Sequence, residues 1–147
     1  ATSSRSMVVT TLWRLEGSPV VNYAMDFTDV AEGSWYAEAV RWAASEGIAG
    51  GYGGSSFGPS DTITREQLAV MLYRYAQEQG CDVTASADLS GFSDVNDVSD
   101  YALEALKWAS AAGIVNGTDE NTLTPQGSAT RAQVAVMLMR FCENVMQ

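Results

Sequence analysis

Three arginines stand at the same place in a recurring pattern: Ser4-Arg5, Thr64-Arg65 and Thr130-Arg131. Each follows a hydroxyl residue of the kind that caps a helix, which puts the guanidinium at the first helical position. Free backbone N–H groups and the positive end of the helix dipole already favour an anion there. A guanidinium adds a planar, bidentate partner for a carboxylate. A second reading stands beside this one, a salt bridge from Arg65 or Arg131 to an aspartate of a neighbouring copy, Asp29 or Asp94. Trp35 has the chemistry to stack one face on a sugar ring. Trp13, Trp42 and Trp108 fall at helix-stripe spacing and read as core, as do Met71 and Met137.

Other chemistries fall away. The 147 residues contain no histidine, so a Ser-His-Asp or Cys-His nucleophile, an imidazole base and a His-ligated zinc are excluded. Two cysteines cannot build a Cys₄ site or a dense disulfide framework. Asp94, Asn96, Asp97 and Asp100 resemble fragments of a calcium loop, but Val98 stands where an oxygen ligand is needed and no glycine follows. The acids from Asp82 to Glu104 read instead as a solvated face, and no metal or other cofactor is expected. Gly50-Gly51-Tyr52-Gly53-Gly54 lacks the Gly-Lys-Ser/Thr ending of a phosphate loop. A net charge of −10 argues against nucleic acid or an anionic membrane surface as a non-specific partner. The apolar runs are too short for membrane insertion.

The elements that must position these residues are repeated. Phe27-Thr28-Asp29-Val30 returns as Phe92-Ser93-Asp94-Val95. Trp35 then matches Tyr101, Trp42 matches Trp108, Gly47-Ile48 matches Gly113-Ile114, Gly51 matches Gly117, and Pro59 matches Pro125. The register holds without further insertion through Arg65 and Arg131 to Tyr75 and Phe141. A partial third copy opens the chain, where Val8, Leu12, Arg14 and Leu15 follow Arg5 as Leu68, Leu72, Arg74 and Tyr75 follow Arg65.

Each full copy reads as helix, loop, helix. Leu68, Met71, Leu72, Tyr75 and Ala76 form one helical stripe, repeated by Val134, Met137, Leu138, Phe141 and Cys142. Trp35, Ala39, Trp42 and Ala43 share one side of the first helix, as do Tyr101, Ala105, Trp108 and Ala109. Gly47 and Gly113 sit where a left-handed residue ends a helix. Phe57 or Leu123 pins each loop to the core, and Thr64 with Gln67 and Thr130 with Gln133 fit a capping box. In the first copy Met7 leaves Ser4 without a polar partner. A two-helix unit cannot bury its stripe alone, so the copies must pack together. The expected organisation is a partial repeat at 1–20 (second helix only), full repeats at 21–80 and 81–147, and one module in all.

These residues, in this order, resemble the surface-layer homology (SLH) repeat: Phe27-Thr28-Asp29-Val30, Trp35, Gly47-Ile48, Phe57-Gly58-Pro59 and Ile63-Thr64-Arg65, then their counterparts from Phe92 to Arg131. The resemblance implies an all-α pseudo-threefold helical bundle of tandem repeats. It implies a secreted, bacterial cell-surface protein anchored to the wall through secondary cell wall polysaccharide, often pyruvylated, bound in grooves between repeats. The implied ligand-binding residues are Arg65, Arg131 and Arg5, the aromatics Trp35 and Tyr101, and the loop glycines Gly50, Gly51 and Gly117. No residue is implied to be catalytic. This sequence departs from the family motif at Gln67, Gln133 and Met7, where a glutamate is usual, and at Tyr101, where a tryptophan is usual.

The alternative is an interaction or assembly scaffold without glycan binding. It rests on the partial first copy, whose stripe of Val8, Thr11, Leu12 and Leu15 calls for a partner: the chain's own C-terminal copy, upstream sequence, or a second chain, the last being self-association. A carboxylate-pair glycosidase finds acids here but no deep cleft to hold them. Cys142 replaces Ala76 on the stripe and reads as an inert buried thiol, and a Cys81–Cys142 disulfide is a second option for an exported protein.

Overall fold

The computed structural model describes residues 1–51, 55–116 and 121–146. Among them are five α-helices: α1 (Arg5–Leu15), α2 (Ala37–Ser45), α3 (Arg65–Glu78), α4 (Leu103–Ala111) and α5 (Arg131–Asn144). Two short 3₁₀ turns, Val95–Asp97 and Asp100–Ala102, precede α4. The fold is all-α with helix-loop-helix repeats. No helix among the described residues is long and apolar enough to cross a membrane.

α1, α3 and α5 start where the hydroxyl caps stand. Thr64 Oγ1 accepts from the Gln67 N–H at 3.2 Å while the Gln67 side chain accepts from the Thr64 N–H at 3.0 Å. Thr130 and Gln133 repeat this. Ser4 keeps the first half of the exchange, and its own N–H meets the Met7 sulfur at 3.5 Å. Gly47 and Gly113 end α2 and α4 at φ of 72° and 77°, a region in which a side chain would be strained.

Backbone bonds tie the three capped helices into a closed ring. The Ser3 N–H donates to the Ala129 carbonyl (3.1 Å), Ala129 donates to Ile63 (2.9 Å), and Ile63 donates back to Ser3 (2.8 Å). Two residues further on, Arg5 donates to Asp61, Arg65 to Gly127 and Arg131 to Ala1, each at 2.9 Å. Each capped helix thus rests on the approach segment of another copy, which is a pseudo-threefold arrangement.

The helix pairs cross between copies. α2 packs on α1, and α4 packs on α3. One core runs through all of them, with Trp42, Tyr75, Phe141 and Trp108 in a chain of edge-on and tilted ring contacts 5.9–6.3 Å apart. The partial copy is no exception: Val8, Val9 and Leu12 are buried and α2 packs on α1, so the stripe finds cover within this chain, leaving Thr11 and Leu15 of it exposed. Trp13 is half-buried rather than core and donates its indole N–H to the Pro19 carbonyl at 2.7 Å.

Two further expectations change. Trp35 and Tyr101 lie ahead of their helices rather than on them, because α2 begins at Ala37 and α4 at Leu103. Cys142 is exposed, and both cysteines are free thiols. The Ala76 position is buried, yet its equivalent on α5 has nothing packed over it among the described residues.

Candidate functional site

The loops are held by the aspartates of the repeated motif. Asp29 accepts from the Phe57 N–H (2.8 Å), the Gly58 N–H (2.9 Å) and the Ser56 hydroxyl (3.1 Å). Burial pushes its carboxyl up, but these donors outweigh that and hold it below the ordinary aspartate value. Asp94 accepts from the Leu123 and Thr124 N–H groups, both at 2.8 Å. These carboxylates therefore close their own loops through backbone N–H groups.

With the loops fixed, their carbonyls receive the arginines of the preceding copy. Arg5 donates from Nε to the Phe57 carbonyl (3.1 Å) and from a terminal nitrogen to the Gly50 carbonyl (2.7 Å), with its guanidinium 4.8 Å from the centre of the Phe57 ring. Arg65 repeats the first bond, Nε to the Leu123 carbonyl at 2.9 Å. Both arginines are buried. Burial pushes the Arg65 guanidinium below its ordinary value, while the charge of Asp94 pulls it back up. Arg131 is exposed.

The expectation of free N–H groups at these helix starts is corrected for α1 and α3. The first two N–H groups of α3 donate to the Gly127 and Pro125 carbonyls, and those of α1 to Asp61 and Pro59. The third goes to the cap. The ring that binds the copies together consumes the donors an anion would use.

One groove of about 330 Å³ draws on all three copies. The first copy supplies Arg5. The loop of the second supplies Ile48, Ala49, Gly50 and Gly51, and α3 supplies Gln67, Val70, Met71 and Arg74. The third copy supplies Tyr101, 55% exposed. The groove thus unites four residues singled out in the sequence, Arg5, Gly50, Gly51 and Tyr101. A Cβ at Gly51 would stand 2.4 Å from the Ser56 carbonyl oxygen, so glycine there answers a close backbone approach. Trp35, 60% exposed, lies against Tyr36 and does not line this groove. Arg65 and Arg131 also lie elsewhere, and Gly117 falls outside the described residues.

Two residues here are not among those the sequence singles out for a site. Arg74 is an exposed cation on the groove wall. The signal for it was present, since Arg14, Arg74 and Arg140 recur at one place in all three copies. Glu66 is buried beside Tyr101, accepting from the Ser99 N–H (3.0 Å), the Ser99 hydroxyl (2.7 Å), the Gln126 amide (3.2 Å) and the Tyr101 hydroxyl (3.4 Å). Burial first, and then the Glu66 charge, push the Tyr101 phenol above its ordinary value. No repeated feature points to Glu66, because its equivalents are Ser6 and Ala132.

Helical copies that close a ring through their approach segments define a tandem-repeat module. The chain belongs to the S-layer homology domain family, whose model matches residues 26–69 and 91–135. It is similar to an amylopullulanase of Thermoanaerobacterium thermosulfurigenes, at 32% identity over 97% of this chain and 8% of that protein. It is similar to a surface-layer 125 kDa protein of Lysinibacillus sphaericus, at 32% identity over 82% of this chain and 10% of that protein. A cellulosome-anchoring protein of Acetivibrio thermocellus matches at 28% identity over 87% of this chain and 28% of that protein. The chain therefore spans less than a third of each of these relatives.

Proposed function

We propose that this module is a non-catalytic anchor that holds its parent protein at the bacterial cell surface by binding an acidic wall polysaccharide. Support for anchoring comes from the family and from relatives named as surface-layer and cellulosome-anchoring proteins. The observation that carries the glycan reading is the convergence of Arg5, Gly50, Gly51, Arg74 and Tyr101 on one groove from three copies. Arg74 presents its guanidinium to a sugar-borne carboxylate, such as a pyruvate ketal, and Tyr101 offers a ring face to the pyranose. Arg5 sets the groove floor, since its bonds to the Phe57 and Gly50 carbonyls fix the loop. An exposed ionic contact of this kind weakens with salt.

The test is retention on purified wall polysaccharide. Arg74→Ala and Tyr101→Ala each reduce binding by about tenfold, roughly 1.4 kcal/mol, and Trp35→Ala leaves it unchanged. Equal retention of all three variants and the wild type would remove this groove from the mechanism.

A second reading, assembly through protein contacts, is favoured by one observation. α5 exposes Val136, Met139 and Cys142 side by side on its outer face. Light scattering at rising concentration tests it, and a strictly monomeric species counts against pairing of two copies through that face.

A further inference from the structure

We propose that Glu66 is a positioning residue for the groove, acting through Tyr101. The inference rests on the glycan reading above and deepens it.

Glu66 stands at the second position of α3, with its own N–H spent on the Pro125 carbonyl at 2.9 Å. From there its carboxylate reaches across the seam to the third copy. Two bonds, at 3.0 and 2.7 Å, hold Ser99, the residue on which the 3₁₀ turn Asp100–Ala102 begins. A third comes from the Tyr101 hydroxyl and a fourth from Gln126, whose amide also donates to the Asp97 carbonyl at 2.7 Å. One buried side chain thereby fixes both the backbone two residues before Tyr101 and the tip of its phenol. Tyr101 is otherwise half in solvent, in that short 3₁₀ turn ahead of α4, and Glu66 is the side chain that holds its hydroxyl among the described residues.

The other aromatic shows the same place without this lock. Trp35 matches Tyr101, but the residue matching Glu66 is Ser6, whose hydroxyl pairs with Ser4 at 3.1 Å, and the residue matching Ser99 is Gly33. The neighbouring Ser34 hydroxyl is covered and finds no hydrogen-bond partner among the described residues. An aromatic held at a fixed angle loses less freedom on stacking than one that swings, so a locked ring binds more tightly for the same contact. Glu66 therefore makes the Tyr101 groove the better binding position of the two.

The experiment is a double-mutant cycle read by calorimetric titration of purified wall polysaccharide into the full chain. Glu66→Ala uses the residue found at the same helical position in the third copy. It weakens binding about tenfold in the wild-type background and has no further effect when Tyr101 is already alanine. Glu66→Gln, which keeps the shape and most of the hydrogen bonds, restores most of the affinity. Should Glu66→Ala fail to fold, Tyr101→Phe tests the same link and loses part of the affinity while keeping its ring. Arg74→Ala separates the two claims. If it weakens binding while Glu66→Ala does not, or if the losses at Glu66 and Tyr101 simply add, Glu66 has no positioning role. If Arg74→Ala and Tyr101→Ala both bind as wild type, the groove reading itself fails and takes this inference with it.

Discussion

α3 and α5 are the same helix in two settings. Each has fourteen residues, a threonine cap, an arginine at the first position and a glutamine closing the box. On α3 the outer face receives α4, and Arg65, Glu66, Ala69 and Ala76 are buried while Val70 is 5% exposed. On α5 the matching Arg131, Ala132, Ala135 and Cys142 are exposed, Val136 is 38% exposed and Met139 52%. The inner stripes, by contrast, agree at three matched positions: Leu68, Met71 and Tyr75 are buried on one, Val134, Met137 and Phe141 on the other, while Leu138 is half-buried where Leu72 is buried. The difference teaches that a repeat's sequence sets which residues face inward, whereas the neighbouring copy decides whether the second face is a seam or a surface.

Paired substitutions break or sharpen that comparison. The largest effect is expected from a charge at one matched site. Ala69→Glu puts an unpaired carboxylate under α4 and destabilises by about 4 kcal/mol or prevents folding. Ala135→Glu changes stability by less than about 0.5 kcal/mol. Denaturant titration of the two variants reads this directly, and equal losses would show that the two faces are alike.

Next in size is the arginine. Arg65→Leu removes the donor to the buried Leu123 carbonyl and costs about 2 kcal/mol, while Arg131→Leu costs almost nothing. Thermal melts of both variants separate these outcomes.

The third contrast is Tyr75 against Phe141. Burial, and then the charge of Glu16, push the Tyr75 phenol up to about 12. Its proton is therefore held more tightly folded than unfolded, where it leaves near pH 10. Between those values the unfolded chain has fewer protons bound, so stability falls as pH rises. The contribution is complete below pH 10 and is lost by about pH 12, roughly 2 kcal/mol in all. Tyr75→Phe makes α3 match α5 and flattens this alkaline limb, as urea titrations between pH 8 and pH 12 will show.

The smallest effect is chemical rather than energetic. Cys142 reacts with a thiol reagent in the folded protein at close to the rate of a free cysteine, while half-buried Cys81 is slower. Cys142→Ala restores the residue of α3 and leaves stability unchanged.

Much of this fold could be read from the chain because periodicity and capping are local. The stripes, the glycine stops, the capping boxes and the pinning residues Phe57 and Leu123 follow from spacing alone. What sequence could not supply was each residue's partner across a seam. Asp29 and Asp94 were weighed as partners for arginines because charge attracts charge, yet backbone N–H groups of their own loops lie closer. Free helix-terminal donors were expected because a capped helix in isolation has them, but the closed ring uses them. Cys142 reads as buried from its stripe position, since stripe position says nothing of whether a neighbour is there. Of the candidate site, Arg5, Gly50, Gly51 and Tyr101 are legible in the sequence, Arg74 is legible only as a matched position of the repeat, and Glu66 is invisible because only one copy has it.

The measurement that bears most directly on this account is amide NMR of the labelled chain during titration with purified wall polysaccharide. Shift changes centred on Gly50, Gly51, Gln67, Arg74 and Tyr101, fading in Arg74→Ala, are the predicted result. Changes centred on Val136, Met139 and Cys142 with the groove silent would contradict it, and would move recognition to the uncovered face of α5.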